Sequence, residues 1–336
     1  MIASARFSLL PHSRAKDEIG RAIKENKHCT LSYLHCDVFV LKEDTKVLEW
    51  PKEASTSDAV LLAGAILTNT MLTTFNIAPG ATLANSARSA IGDALLHNPG
   101  SHVAFCNDFG LQPKVDTCEF DLSTSELKEV EPFRLLAGCL RGNRTVTQLT
   151  LKQLRSEQID TLAAALRGNS TLAQLNLVHV TRTGEQAVVR LPVPQLNGTA
   201  AEPLRRVDLS SSVLEGALGR VACEMIGMLM AANTVLQCLD LQNTGIGLAV
   251  GTEGEGGNIL FRPLCSDAKA SKLSELNLSN TQLNDKAGLK LLSALTNGLA
   301  KSAAGSKCVL LSVPMSMSMS MSHVHVPWPL TPLLSP

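Results

Sequence analysis

The apolar positions of this chain recur at helical spacing ahead of six asparagines. In each copy the residues three, four and seven positions before the asparagine are small or apolar. These spacings form one stripe of an α-helix, and asparagine readily adopts the left-handed conformation in which helices end. The pattern therefore predicts a series of helices that each stop at a left-handed asparagine. The six are Asn26, Asn69, Asn98, Asn143, Asn169 and Asn233.

A short strand pattern follows the predicted helices. After Asn169 the apolar residues are Leu172, Leu175 and Leu177, and the last two alternate as they would on one face of a strand. A helix and a strand that recur in this order predict a repeat architecture with parallel strands. The strand spacing begins at Leu72, Val146, Leu172 and Leu236 and, without the asparagine, at Leu204 and Leu273.

The two clearest copies lie between Leu135 and Leu177, where LLAGCLRGNRTVTQLTL precedes LAAALRGNSTLAQLNL at a distance of 26 residues. A strand of the form LxxLxLxx(N/T)xL with a helix of the form (L/I)xxALxxN resembles the leucine-rich repeat family, in particular its ribonuclease-inhibitor-like subclass. The resemblance implies an α/β solenoid shaped like a horseshoe, with parallel strands on the concave face and α-helices on the convex face. It also implies a long surface that binds a protein partner.

Composition divides the chain into three parts. Residues 1–14 form an N-terminal segment whose arginines, serines and lack of acid faintly resemble a targeting peptide. Residues 15–313 form the predicted repeat domain. Residues 314–336 are rich in Met, Ser and Pro and have no helical stripe, so we predict a disordered, low-complexity tail.

The repeat pattern varies in quality along the predicted domain. It is degenerate over residues 15–132 and clear over 133–298. Gly, Pro and polar residues predict loop insertions at 181–203 and 247–263.

Charge and cysteine content limit the partners and the compartment. Thirty basic and thirty acidic residues cancel, so no electrostatic feature favours nucleic acid or an anionic membrane. No apolar run approaches the roughly 18 residues of a membrane span. The nine cysteines are odd in number and scattered without a CxxC pair, which favours reduced thiols and a cytoplasmic protein.

Motifs for catalysis, cofactors or metals are absent from the sequence. The glycine-rich run 254–257 lacks the lysine of a phosphate-binding loop, and no GxSxG motif occurs. His323 and His325 form a close pair, but no third or fourth metal ligand lies near them in the sequence. We therefore predict a non-enzymatic protein without a catalytic, cofactor-binding or metal site.

Alternate strand residues, which face away from the leucines, form the predicted binding surface. Stacked strands would align them into a polar to mildly acidic wall on the concave face that binds a protein partner of unknown identity. The alternative is that they are solvated strand residues without a binding role. The predicted protein-binding residues are Gln148, Thr150, Gln174, Asn176, Arg206, Asp208, Asp240, Gln242, Glu275 and Asn277.

Two other functions remain as alternatives. The resembled subclass includes GTPase-activating proteins of the Ran-activator type, and Arg155 and Arg182 follow central strands where an arginine could act on a bound GTPase. The strongly acidic tail of several such activators is missing here. The other alternative is a structural subunit of a cytoskeletal or ciliary assembly, which the neutral charge would permit.

Overall fold

In a computed structural model, the chain consists of two compact units. Unit 1 comprises Met1–Gln153 and Glu157–Ala173, and unit 2 comprises Leu154–Ser156 and Gln174–Pro336. The residues that the structure describes are 3–7, 13–26, 31–109, 111, 114–123, 126–180, 183–200, 206–210, 212–214, 216–231, 233–246, 260, 275–282 and 310–312.

Unit 1 contains eight of the described strands and five of the helices. Short 3-10 turns at Asn107–Phe109 and Glu126–Lys128 accompany them. In chain order the elements are β1 (Ala3–Phe7), α1 (Ser13–Glu25), β2 (Leu31–Cys36), β3 (Val40–Leu41), β4 (Val47–Trp50), α2 (Thr56–Ile66), β5 (Thr74–Ile77), α3 (Asn85–His97), β6 (Phe105–Cys106), β7 (Thr117–Asp121), α4 (Val130–Gly142), β8 (Gln148–Lys152) and α5 (Ser156–Arg167).

The strands of unit 1 pair mostly in parallel. β1 is parallel to β2, whereas β3 returns antiparallel against β2. β4, β5 and β6 form a parallel sheet in that order, and β7 runs parallel to β8. A helix lies between most neighbouring parallel strands, as crossover connections require.

The helices of unit 1 pack in chain order, α1 on α2, α2 on α3 and α3 on α4. Glycines allow two of these contacts to be very close. A Cβ at Gly92 of α3 would lie 2.4 Å from the backbone carbon of Arg134 in α4, and one at Gly20 of α1 would lie 2.6 Å from the Val60 oxygen in α2. Since Cβ atoms do not approach other atoms this closely, only glycine fits at these two positions.

Unit 2 contains the remaining six described strands and two helices. β9 and β10 form an antiparallel hairpin around Gly184, whose φ is 85°. β11, β12, β13 and β14 form a parallel sheet in that order. The elements are β9 (Gln174–Val180), β10 (Gln186–Pro192), α6 (Val193–Asn197), β11 (Arg206–Asp208), α7 (Gly216–Met230), β12 (Cys238–Asp240), β13 (Glu275–Asn277) and β14 (Leu310–Ser312).

The predicted leucine-rich repeat horseshoe is wrong. A horseshoe has one continuous parallel sheet, whereas the described strands are divided among four separate sheets. Two antiparallel pairs, β2 with β3 and β9 with β10, also interrupt the parallel arrangement. The hairpin at β10 and the short helix α6 occupy part of 181–203, where the sequence indicated a loop. The solenoid and its concave face are therefore corrected to an α/β fold with several sheets.

The local helix and strand pattern is nevertheless present. Leu162 and Leu166 are buried on α5, and Leu175 and Leu177 are buried on β9. The strands predicted after Asn69, Asn143 and Asn233 are β5, β8 and β12. The periodicity therefore located these helices and strands correctly. The prediction was wrong about which strands pair with one another in a sheet.

Buried asparagine side chains fix the turn after several of these helices. Asn169 is 2% exposed, and its Oδ1 accepts hydrogen bonds from the backbone N–H groups of Thr171 and Leu172, each at 2.8 Å. Its Nδ2 donates to the carbonyls of Leu140 at 2.6 Å and Asn143 at 3.2 Å in the preceding turn. The side chain thus supplies hydrogen-bond partners to backbone groups in the turns that follow two successive helices.

The same arrangement recurs in both units. In unit 1, Asn98 donates to the carbonyl of Ile66 at 2.6 Å, and Asn143 donates to that of Ala104 at 3.1 Å. In unit 2, Asn233 donates to the carbonyl of Leu196 at 2.9 Å. In each case Oδ1 accepts from a backbone N–H two or three residues later.

The predicted left-handed conformation of these asparagines is wrong where they cap a helix. Asn98 has φ −86° and ψ 104°, and Asn143 has φ −67° and ψ 136°, both extended. An extended backbone carries the chain directly into the next strand. The asparagine is therefore required for its amide group and not for its tolerance of positive φ.

Replacing Asn169 with alanine should destabilise the protein by about 2–4 kcal/mol, because buried backbone donors and acceptors lose their partners. Chemical denaturation followed by circular dichroism measures this change. Asn169→Asp keeps the acceptor but places a carboxylate against two carbonyls. That burial raises the folded pKa of the new carboxyl, so the Asp variant should regain stability as the pH falls. A flat pH dependence of the Asp–wild-type difference would contradict the role assigned to the amide.

Replacing Gly92 with alanine should force α3 and α4 apart and cost about 1–3 kcal/mol, as overpacking does. Thermal unfolding measures the loss. Ser86→Ala, at an exposed position of the same helix, is the matched control and should change stability by less than about 0.5 kcal/mol. Equal melting temperatures for the two variants would show that the helices do not contact at Gly92.

Candidate functional site

Polar side chains from three neighbouring strands occupy one face of the parallel sheet in unit 2. β11, β12 and β13 are paired in register, so residues at equivalent positions lie opposite one another. Strand side chains alternate between the two faces of a sheet, and the residues two apart therefore form two rows on the same face. The rows, which with Gln242 we call the polar sheet face, are Arg206–Cys238–Glu275 and Asp208–Asp240–Asn277.

The opposite face of this sheet belongs to the core. The middle residue of each strand points to this opposite face and lies in register with its neighbours. These residues are Val207, Leu239 and Leu276, which are 3%, 0% and 0% exposed. On β11 and β13 the residues on either side of the apolar position are more exposed than it is, whereas all three residues of β12 are buried. Apolar burial on one side therefore fixes which side chains the other side presents.

The second row has a structural role in addition to any binding role. Oδ1 of Asp208 accepts from the backbone N–H of Ser210 at 2.9 Å, and Oδ1 of Asp240 accepts from that of Gln242 at 3.0 Å. Asn277 makes the equivalent bond at 3.1 Å. These bonds are Asx turns, which end each strand. The line of Asp and Asn that the sequence shows is thus explained in part by turn formation.

Arg206 on β11 interacts with one acidic residue on β12 and one on β13. Its guanidinium donates to Asp240 Oδ2 at 3.0 Å and lies 3.9 Å from Glu275 Oε1. The Arg206 side chain is 58% exposed, so water screens these pairs and they contribute little stability. On the same face Asn277 donates to Gln242 Oε1 at 3.2 Å. Arg206 and Glu275 are thus accessible to solvent, whereas Asp240 is buried.

The pKa values of Asp208 and Cys238 on this face are shifted in opposite directions. Hydrogen bonds from the Ser210 side chain and backbone lower the pKa of Asp208, which is therefore ionised at neutral pH. Burial, assisted by a hydrogen bond with Glu275, raises the pKa of Cys238 to about 11. Cys238 is accordingly a neutral thiol and a poor nucleophile at neutral pH.

Four of the predicted binding residues lie elsewhere. Gln148 and Thr150 are half-buried on β8 in unit 1. Gln174 and Asn176 lie on β9, where the Gln174 amide donates to Asn176 Oδ1 at 2.6 Å and Asn176 is 6% exposed. The structure therefore places six of the ten predicted residues together, all on the polar sheet face.

A second polar cluster, in unit 1, surrounds a buried lysine. Lys16 of α1 is 6% exposed, and its Nζ donates to Asp37 Oδ1 at 2.8 Å and to Asp58 Oδ1 at 2.7 Å. Burial opposes the charged ammonium, but the hydrogen bonds and the two carboxylates outweigh it and raise the pKa of Lys16. The hydrogen bond from Lys16 lowers the pKa of Asp37.

This cluster has donor atoms that a metal ion could use. Cys36 Sγ and carboxylate oxygens of Asp37 and Asp58 all lie within 4.8 Å of one another. The ammonium of Lys16 already contacts both carboxylates and supplies the positive charge that a metal would bring. Burial also raises the pKa of the Cys36 thiol, which disfavours the thiolate needed for binding. The cluster therefore fits an internal ion pair better than a metal site.

Sequence reasoning missed Lys16 and a second buried cation, Arg88. Arg88 of α3 is 9% exposed and pairs with Asp108 at 2.9 Å and with Glu126 at 2.8 Å. Lys16 precedes Ile19 by three residues and so lies on the apolar stripe of its helix. A charged residue on an apolar stripe was a signal that could have indicated a buried ion pair.

The other residues that the sequence singled out contribute no described site. Arg155 is half-buried and makes an interaction of its own. Arg182, His323, His325 and the glycine-rich run 254–257 lie outside the described residues. In the described part of the chain, no helix combines the length and the apolar character needed to cross a membrane.

Removing the charge of Lys16 should destabilise unit 1 by about 3 kcal/mol, because Lys16→Met leaves the buried Asp58 carboxylate without its cation. Urea denaturation measures this, with Lys24→Met at an exposed position of α1 as the control. The double variant Lys16→Met/Asp58→Asn removes both charges and should recover part of the loss. A single variant as stable as the control would contradict the ion pair.

The pH dependence of wild-type stability follows from the same pair. The pKa of Asp37 is lowered on folding, so its contribution is present above its unfolded value near 3.8 and is lost as the pH falls through the folded value. The raised pKa of Lys16 gives a contribution that is complete below its unfolded value near 10.5 and is lost as the pH rises through the folded value. Lys16→Met should reduce both effects.

No family model matches the chain, and a search of curated proteins finds no match to it. The function therefore has to be inferred from the side chains and their geometry.

Proposed function

We propose that the chain is a non-enzymatic protein-interaction module whose polar sheet face binds a partner that presents basic side chains. The observation that supports this is the register of β11, β12 and β13, which holds five polar residues and Cys238 in two rows on one face. Register on a sheet fixes the spacing of side chains more rigidly than a loop does. A partner can therefore match the charges at fixed positions.

The charge of the face supports a basic partner. Asp208, Asp240 and Glu275 carry three carboxylates, and Arg206 carries one guanidinium, which leaves an excess of two negative charges. Asp208 and Arg206 are exposed, and Glu275 is half-buried. A lysine or arginine of a partner can pair with Asp208 and Glu275 without breaking the core. Such rim charges govern association rate and specificity more than affinity.

The described cysteines support a non-enzymatic role. Six of them are free and buried, and burial raises the pKa of Cys223 to about 12. The pKa of Cys139 is also raised far above its ordinary value by a hydrogen bond with Cys106 and by burial. Thiols of this kind are poor nucleophiles. The same free cysteines favour a reducing compartment, and we propose a cytoplasmic protein.

The experiment compares partners captured by the full chain and by the variant Asp208→Asn/Glu275→Gln. Asparagine keeps the Oδ1 acceptor that closes the turn at Ser210, so the fold should remain while the charge is lost. Two exposed charge pairs of about 0.5–1 kcal/mol each predict a roughly fivefold to thirtyfold weaker interaction. The affinity of the captured partner, measured at low and high salt, gives this value and should fall with salt for the wild type.

The matched control is Asp160→Asn/Glu49→Gln, which removes one Asp and one Glu charge at exposed positions of unit 1. The control should capture the same partners as the wild type with the same salt dependence. Equal capture by the wild type and the Asp208→Asn/Glu275→Gln variant, with partners that lack basic residues, would refute the proposal.

A further inference from the structure

Among the described residues, strand β10 of unit 2 is an edge strand of its sheet. It spans seven residues, pairs with β9 over its whole length, and is the terminal strand in the sheet order. The backbone N–H and C=O groups of alternate residues on an edge strand point away from the sheet and can pair with another strand. β10 therefore presents a strand-pairing surface that is independent of the polar sheet face.

The two faces of β10 differ sharply. Val189 and Leu191 are fully buried, which holds the strand in place. On the other face Gln186, Val188 and Arg190 are exposed, and Val188 is 39% exposed. Natural edge strands are usually protected by lysine, by inward charges or by a bulge. β10 has a single charged residue, and its pairing with β9 is regular, without a register shift.

The sequence of β10 is complementary to itself in one antiparallel register. If two copies pair about a two-fold axis at Val188, then Val188 lies opposite Val188 of the second copy and Gln186 lies opposite Arg190. The Arg190 guanidinium can then donate to the side-chain carbonyl of Gln186. A register centred on Val189 would instead place Arg190 against Val188, and it would bring Pro192, which has no N–H, into the ladder.

We propose that the chain self-associates through antiparallel pairing of β10 with β10 of a second copy, centred on Val188. The contact is isologous, as expected of a two-fold dimer. It joins the β9–β10 hairpins of the two copies into four consecutive antiparallel strands within a larger sheet, and it covers the exposed valine. A five-residue strand contact is small compared with stable interfaces, so the dimer forms weakly and depends on protein concentration.

The two-fold axis makes the test specific, because any residue at position 188 lies opposite itself. Val188→Lys and Val188→Glu each place like charges against one another and should weaken self-association at least about tenfold. An equimolar mixture of the two variants places lysine against glutamate and should restore association. Sedimentation velocity of the full chain over a range of concentrations measures each case.

Two further variants complete the experiment. Val213→Lys changes another exposed valine of unit 2, which is 57% exposed and lies outside β10, and it should associate like the wild type. Gln186→Glu should tighten association, since it adds an ion pair with Arg190 in this register only. A monomeric wild type at all concentrations, dimers of Val188→Lys equal to wild type, or no recovery in the mixture would each overturn the proposal. Circular dichroism confirms that the variants are folded.

Discussion

Buried side-chain amides hold together the turns on which both units depend. A helix end leaves backbone N–H and C=O groups without partners, and burying them unpaired would cost more than most single packing contacts provide. Asn143 and Asn169 supply both a donor and an acceptor from one side chain, which an ionised aspartate or a leucine cannot do. Each amide bonds forward to its own turn and backward to the preceding turn. Each amide thereby links one helix-to-strand turn to an earlier turn of the chain.

Close helix packing in unit 1 is possible because glycine occupies two of the contact points. Gly92 and Gly20 let the backbones of neighbouring helices approach where a Cβ would collide. The buried ion pair of Lys16 with Asp58 lies at the same contact between α1 and α2. A charged pair in that position contributes little net stability, but it disfavours arrangements in which either charge would be unpaired.

In the proposed binding surface, the aspartates that close the strands are also available for other contacts. Asp208 and Asp240 close their strands through Asx turns, which needs only one carboxylate oxygen. The second oxygen remains for other contacts, as in the pair of Asp240 with Arg206. The proposed binding surface and the proposed self-association surface both belong to unit 2, but they use different features. The first presents side chains across a sheet, and the second presents the backbone of an edge strand.

For the regularly patterned helices and strands, such as α5 and β9, the sequence by itself determined where they occur and which of their residues are buried. Periods of 3.6 and 2 residues are local properties, so the leucines of α5 and β9 could be assigned without knowledge of distant parts of the chain. The same alternation located the polar rows of the sheet in unit 2. Tertiary structure alone decided which strand edges meet, and the hairpin of β9 and β10 replaced the parallel neighbour that a horseshoe requires. It also decided the partners of Lys16 and the extended conformation of Asn143, because both depend on groups that are distant in sequence, and no local pattern specifies such pairings.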